Sequence, residues 1–526
     1  MLKQIKAAKN IHVVGVSGTE GAAVALFLTK LGLKYTAHDF SEEAKFQKNF
    51  LASHLGYSPA EREKTLKVIF KNSSLNFKEN YLKEIESADL VFVSQNWEAY
   101  SPNQKLRKIF AKNPRKFMTI TQLYFGIFPG KILAVTGTNG KSTTTKLIAE
   151  IMFASRQPVD TSRQLAAKSA EALVKAEQRV DSRVYFTGND RRNIQILDQF
   201  DKWKKSDWLV IEVSNRQLKF PLGRAPEIGV ITNVTPNHVD EYIDGFSAYK
   251  KGKFALVAGQ KNNDICVLNY DNIITHSFAK KVKSRVVFFS AKKKLSTGLS
   301  AVASAKAGVY IDAGWIVDKN QSVDSPAKVC LRAEAKVAKV CLLDKVKLIG
   351  EHNFENVLAA VAATRAAGVS AKIICQTIEQ FRGIPQRLEV VFEKNGVKFI
   401  NDSASTTPES TIAALQSFPK KSVNLIAGGE SKGMDFAKLA REIRTQKTRV
   451  ILLESPLAKS LANELRKLKV GFEIVKDLRT AVELSARNAQ KGDIVLLSPA
   501  GAWFCYFSGK IPLGGRGFEQ FAKALA

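Results

Sequence analysis

Short runs rich in Val and Ile recur along the chain, with helix-patterned segments between them. They include IHVVGV (11–16), DLVFVS (89–94), KILAVTG (131–137), WLVIEVS (208–214), IGVITNV (228–234), VNLIAGG (423–429), RVILLES (449–455) and DIVLLSP (493–499). Continuous apolar runs of this length suit strands buried on both faces, and strands that alternate with helices build parallel sheets covered by helices. Many of these runs end in Gly, Ser, Thr or Asn just before a helix-like segment. In such sheets ligands gather beyond the carboxyl ends of the strands, so chemistry is sought there.

A chain of 526 residues, 45% hydrophobic and 25% charged, can bury several cores, and its length suggests about three domains. The pattern divides it into residues 1–120, 121–383 and 384–526; the Lys-rich, strand-like stretch 280–347 is hard to assign. No apolar run approaches the ~18 residues that cross a bilayer. The first segment, MLKQIKAAKNIHVVGV, runs straight into a glycine turn and reads as a first strand rather than a signal peptide. A cytoplasmic protein without a membrane partner is therefore expected, and a monomer. The cysteines at 266, 330, 341, 375 and 505 include no CxxC pair. They are expected to be reduced and mostly buried, with neither a disulfide framework nor a zinc site. The net charge of +31 suits nucleotides and other polyanionic small molecules. No nucleic-acid-binding motif accompanies it, so specific nucleic-acid binding is not expected.

The most informative segment is KILAVTGTNGKSTTTKL (131–147). An apolar strand enters a turn with Gly137 and Gly140, followed by Lys141, Ser142 and a helix. Glycines let successive backbone N–H groups converge on phosphate oxygens, and the helix N-terminus favours the same anion. Lys141 would neutralise phosphate charge, and the Ser142 hydroxyl would help hold Mg²⁺. The strict phosphate-loop pattern needs glycine where Val135 stands, so this loop is a variant.

Other polar residues fall at strand ends. Glu212 closes WLVIE, a place from which a carboxylate can reach a nucleotide's metal. His238 lies beyond IGVITNV, and Lys253 follows fifteen residues later in YKKGKF. In the first block GVSGTEG (15–21) follows a strand and opens a helix, and Asp39 ends the next strand. That is a Rossmann-like turn with an acid about 20 positions on, although its glycine spacing departs from the dinucleotide pattern.

TGTNGKSTTT resembles the ATP loop of the Mur ligases and their folylpolyglutamate synthetase relatives, and further blocks follow in that family's order. The resemblance implies an α/β protein of three domains: a Rossmann-like N-terminal domain, a central ATP-binding domain of P-loop type and a Rossmann-like C-terminal domain. It implies ATP contacts from Gly137, Thr138, Asn139, Gly140, Lys141, Ser142 and Thr143. Asn353 and Asn356 in GEHNFENVLAA, Arg387 in GIPQRLEVV and Asp402 in NDSASTTPEST join them. Two Mg²⁺ ions would be held by Ser142, Glu212, His238 and Lys253, the last carbamylated by CO₂. Lys141, His238 and Lys253 are the implied catalytic groups. Gly15, Ser17, Gly18, Thr19, Asp39 and Asn189 would bind the UDP substrate.

The NDSASTTPEST block is similar to that of the D-glutamate-adding branch, which implies UDP-N-acetylmuramoyl-L-alanine and D-glutamate as substrates in peptidoglycan precursor synthesis. Thr406, Lys432 in AGGESKGMDF and Trp503 in LLSPAGAWFCYF fall where the amino acid binds. Three positions depart from the branch. Gln386 stands where histidine is usual, Ala404 where lysine is, and Trp503 where a small hydroxyl residue is. These leave open a Mur-like ligase for another amino acid, or a catalytically silent nucleotide-binding subunit. A nucleic-acid-binding ATPase rests on charge alone.

Overall fold

The computed structural model describes residues 1–53, 58–156, 182–188, 195–235, 245–295, 308–319, 337–350, 352–418, 422–431, 433–501 and 515–525. It forms three α/β sheets, and each apolar run quoted above supplies a strand. The chain clusters into two compact units. One comprises residues 1–345 with 355–379, and the other residues 346–354 with 380–526.

The first unit holds two sheets. One is fully parallel, in the order β3-β2-β1-β4-β5, from β1 (Ile11–Val14), β2 (Tyr35–Asp39), β3 (Ser73–Phe77), β4 (Leu90–Phe92) and β5 (Phe117–Met118). The other contains β6 (Lys131–Thr136), β7 (Val184–Thr187), β8 (Trp208–Glu212), β9 (Ile228–Ile231), β10 (Ile265–Asn269), β11 (Arg285–Ser290), β12 (Gly308–Asp312), β13 (Trp315–Asp318) and β14 (Ala338–Leu342), in the order β14-β13-β12-β11-β10-β9-β6-β8-β7. Strands β6 to β12 of this sheet pair in parallel. The described part of the stretch hard to assign from sequence is β11 to β14. Its last two strands each pair antiparallel with the strand before them and extend the sheet edge. One apolar cluster runs through both sheets of this unit, from Val13 and Phe27 to Ile132, Ile211 and Leu268.

Two cross-links fix that extension. Arg365 Nε donates to Asp318 Oδ2 at 2.8 Å, with both side chains buried, which ties β13 to the helix His352–Ala366. Cys341 on β14 and Cys375 on the helix Ala371–Gln380 are joined as a disulfide, with Cα atoms 5.0 Å apart. The expectation of unpaired thiols is thereby corrected. The two cysteines are 34 residues apart on different kinds of element, so no spacing rule brings them together. Cys266 is free and buried, as expected.

The second unit is built on β15 (Glu389–Lys394), β16 (Val397–Asn401), β17 (Val423–Gly428), β18 (Arg449–Leu453), β19 (Glu473–Val475) and β20 (Ile494–Ala500), in the order β15-β16-β20-β17-β18-β19. Only β15 is antiparallel to its neighbour. Successive strand residues face opposite sides. Leu425, Leu452 and Leu496 pack with the helices Pro408–Gln416, Ala437–Thr445 and Pro456–Lys467. Ile426, Ile451 and Leu497 pack with Leu478–Arg487 and Gly515–Lys523. Both faces are covered, which is why these strands are continuous apolar runs. Among the described residues no helix is long and apolar enough to cross a membrane.

Candidate active site

The loop after β6 is shaped by glycine. Gly137 has φ 153° and Gly140 has φ 80°, a left-handed conformation that side chains rarely adopt. Gly140 also caps the helix Lys141–Ala154, so the loop ends at a helix N-terminus with its exposed amides. A Cβ on Gly140 would lie 1.9 Å from Asn356 Oδ1, and one on Gly137 would lie 1.9 Å from Thr232 Oγ1. Backbone is therefore brought close where phosphate would be cradled. Lys141 Nζ donates to the carbonyls of Gly137 and Thr138 at 3.0 and 2.9 Å, which holds its charge over the loop. Ser142 and Thr143 follow in the first helical turn, both partly exposed.

The loop is fastened to the segment after β9, a support the motif alone did not reveal. Thr138 N donates to Asn233 O at 2.8 Å, and Asn139 N donates to Asn233 Oδ1 at 2.9 Å. Thr232 Oγ1 donates to Asn139 O at 2.6 Å, and the Thr138 and Tyr249 hydroxyls lie 3.1 Å apart. Because β6 and β9 are paired neighbours, their carboxyl-end loops must adjoin. That neighbour relation was the missing signal.

Glu212 ends β8 beside β6 and is buried, 4% exposed. Lys253, on the helix Gly245–Ala258, is fully buried. Its Nζ donates to Thr136 Oγ1 at 3.2 Å at the end of β6 and lies over the Tyr249 ring, 5.3 Å from the centroid. Burial, and secondarily the Lys141 charge, hold Lys253 well below the usual lysine range, with Glu212 opposing. A lysine in a lysine run is usually a solvated charge; this one is a core residue. Asn356 reaches the same place, its carbonyl and Oδ1 within 3.4 and 3.5 Å of the Thr144 hydroxyl. Lys141, Glu212, Lys253 and Asn356 are thus brought together at one end of the sheet. His238 and Asn189 lie outside the described residues.

In the first sheet Gly15 has φ 76°, and Gly18 caps the helix Thr19–Lys30, with Gly18 N bonded to Gly15 O at 3.0 Å. A Cβ on Gly21 would meet Gly15 O at 2.4 Å, so the third glycine is required for the close turn. Thr19 opens the helix, and Ser17 lies in the turn. Asp39, at the end of β2, accepts from Ser41 N through Oδ1, and its Oδ2 is buried without a partner. An orphaned carboxylate oxygen beside a glycine turn fits a ligand hydroxyl. The sequence reading missed Glu20, which accepts from Gln95 N at 2.8 Å and Gln217 Nε2 at 3.4 Å and is pushed up to about 7 by burial. Gln95 also accepts from Ser214 at 2.7 Å, so this turn is joined to the segment just after Glu212.

In the second unit Asp402 is buried at the end of β16. Ser498 Oγ donates to its Oδ2 at 2.8 Å and Leu388 N to its Oδ1 at 3.2 Å. Burial pushes its carboxyl up to about 6, against hydrogen bonds from Ser405 and Ser498 and the charge of Arg387. Ala404 N donates to the carbonyl of Gln386, which sits at φ 67°. Thr406 precedes Thr407, the N-cap of Pro408–Gln416. Ala500 N donates to Ser405 O at 3.1 Å, and a Cβ on Gly501 would come within 2.6 Å of Glu430 O. The turns after β16, β17 and β20 therefore adjoin. Asn353, whose Nδ2 donates to Ile349 O at 2.7 Å, belongs to this unit, whereas Asn356 belongs to the first. Lys432 and Trp503 lie outside the described residues.

Comparisons with known proteins bear on the family and the fold. Residues 135–364 match the Mur ligase middle domain, and residues 386–501 match the glutamate ligase domain of Mur ligases. The chain is 36% identical over 372 residues to the UDP-N-acetylmuramoylalanine–D-glutamate ligase of Pelotomaculum thermopropionicum, which covers 70% of each chain. It is 29% identical over 525 residues to that of Thermoanaerobacter pseudethanolicus, which covers 98% of each. In fold it is similar to the UDP-N-acetylmuramate-alanine ligase of Thermotoga maritima, with a TM-score of 0.54, 16% identity, and 98% of this chain and 99% of that one covered. It is also similar to the MurF ligase of the same organism, solved with ADP, with a TM-score of 0.50, 15% identity, and 88% and 93% covered.

Proposed function

The chain belongs to the Mur ligase family, and from that premise we propose that it joins D-glutamate to UDP-N-acetylmuramoyl-L-alanine at the expense of ATP. The observation that carries the chemistry is the convergence of Lys141, Glu212 and the buried Lys253 on the glycine loop at the end of β6. A substrate carboxylate activated as an acyl phosphate and then attacked by an amine asks a protein mainly for positioning and charge neutralisation. Lys141 and the loop amides supply cationic and dipolar partners for phosphate. Glu212, Ser142 and a carbamylated Lys253 would supply the oxygen donors Mg²⁺ requires; the resemblance adds His238 to that set. Bound there, the ion would add Lewis-acid stabilisation of phosphate charge. A buried amine free of its proton is the form that reacts with CO₂, and the burial of Lys253 supports this reading.

The glycine turn of the first sheet and the unpaired Asp39 oxygen support a UDP-sugar there. The family resemblance, rather than their placement, assigns Arg387 and Asp402 to the nucleotide and Thr406 and Lys432 to an amino-acid carboxylate. The D-glutamate choice rests on the named relatives and on NDSASTTPEST. A silent subunit has no use for a fully buried lysine beside a phosphate loop, so the burial of Lys253 favours an active ligase. The test is phosphate release with UDP-N-acetylmuramoyl-L-alanine, ATP and a panel of amino acids. D-glutamate should be the preferred acceptor; preference for a neutral amino acid would overturn the branch, and absence of turnover with every member would overturn the ligase reading.

A further inference from the structure

The third sheet has a second opening, at the end opposite its catalytic turns. The amino ends of β17, β18 and β19, the end of the helix Ala437–Thr445 and the turn after it enclose a cavity of about 360 Å³. At ~3.3 Å per strand residue, the length of β17 separates this cavity from the turns at Gly428 and Ala500 by roughly 15 Å. It is therefore distinct from the amino-acid site proposed above.

Its lining has two unusual properties. Asn424 and Thr448 are only 1% and 5% exposed, yet Asn424 Nδ2 and Thr448 Oγ1 are buried without a hydrogen-bond partner. Native proteins rarely leave such groups unsatisfied, because their desolvation is then uncompensated. An amide nitrogen can only donate, so whatever satisfies Asn424 must present an acceptor. The second property is charge. Arg444 and Lys447 line the wall, and among the described residues neither side chain has a hydrogen bond or ion pair. Arg449 is already engaged with Asp493 Oδ2 at 3.1 Å and Asn488 O at 2.8 Å, which leaves Glu473 as the one acidic lining group. Phe472 and Val470 supply an apolar side. The volume falls in the range of small-molecule sites, which are mostly apolar with a few convergent polar groups.

We infer that this cavity binds a small organic anion, a carboxylate or phosphate on an apolar body. The anion accepts from Arg444 and Lys447 and, once their side chains turn toward it, from the Asn424 amide and the Thr448 hydroxyl; the body lies against Phe472. Binding is independent of the ligase reading, since no group of the proposed active site takes part.

The test uses the full chain with ADP at saturation to fill the nucleotide site, titrated with 8-anilinonaphthalene-1-sulfonate and followed by fluorescence. One saturable site is expected. Arg444→Gln with Lys447→Gln, both exposed positions, should weaken it at least tenfold while leaving ligase activity without the probe unchanged. Thr448→Val should weaken it several-fold while the melting temperature holds or rises, because the orphaned hydroxyl is gone; a purely structural threonine would lower the melting temperature instead. Displacement by phenyl phosphate ahead of benzoate assigns the phosphate class, and the reverse order assigns the carboxylate class. Lack of a saturable site, equal binding in the double variant, or displacement by neither compound would overturn the inference.

Discussion

Gly140→Ala tests whether the phosphate loop is held as described. Two separable costs arise. At φ 80° an alanine adopts the left-handed conformation, at about 1–2 kcal/mol. Its Cβ would also sit 1.9 Å from Asn356 Oδ1 and 2.9 Å from its Cγ, so the asparagine must swing away or the loop must move. Overpacking of this kind costs about 1–3 kcal/mol. The single variant should therefore lose about 2–5 kcal/mol locally. A loop displaced by about 1 Å can cost up to ~100-fold in rate. Asn356→Ala removes the obstructing amide but leaves the backbone cost. In a double-mutant cycle read by denaturant melts, the pair should be more stable than the sum of the singles by about 1–3 kcal/mol. Strict additivity, or an unaltered ATP KM in Gly140→Ala, would refute the close approach of Asn356 to the loop.

Lys141→Ala should keep its circular dichroism spectrum yet lose at least about 100-fold in ATP-dependent phosphate release, since among the described residues no other cation bonds the loop carbonyls of Gly137 and Thr138. Lys253→Ala should be nearly inactive and partly restored by short carboxylic acids; an active alanine variant with unmodified lysine in the parent's mass spectrum would sink the carbamate. His12 and His38 share a buried hydrogen bond of 2.7 Å, and burial pushes His38 down to about 3. The unfolded chain then takes up protons that the folded one refuses. Stability attributable to His38 is complete above about pH 6.5 and falls toward pH 3, by about 1.4 kcal/mol per unit. Urea midpoints of the parent and His38→Gln should diverge between pH 7 and 5, and parallel profiles would exclude the effect. Arg365→Met removes the buried guanidinium that donates to Asp318 at 2.8 Å, so urea melts should show a loss of about 3–5 kcal/mol, partly recovered by adding Asp318→Asn; an unchanged midpoint would refute the role of the pair.

The strands were legible because each is a short apolar run closed by a small polar residue, and the helices over both sheet faces explain that pattern. The phosphate loop was legible because its glycines and lysine are contiguous. What escaped depends on neighbours distant in sequence. Asn233 supports the loop only because β9 lies beside β6. Glu20 meets Gln95 and Gln217 from three separate elements, and Ser498 reaches Asp402 across adjoining strands. The Cys341–Cys375 bridge joins an edge strand to a helix whose place on the sheet no local pattern encodes. Lys253 is named through the resemblance alone: composition would make it a solvated charge, because burial belongs to the helix as packed rather than to YKKGKF.

The burial of Lys253 also limits what its chemistry can be. The same desolvation that favours the neutral amine over the ammonium disfavours any anion formed on it, so burial favours the reaction with CO₂ without stabilising the product. On the proposed reading, addition of CO₂ to the amine would form an N–C bond and release a proton, turning a neutral group into an anion near Glu212. Two carboxylate-type groups in one dry site repel, and Lys141 is the nearby cation that offsets one of them. On the proposed reading the remaining negative charge is matched by divalent cation charge. Occupancy of the carbamate should therefore rise with Mg²⁺ and nucleotide rather than with CO₂ pressure alone.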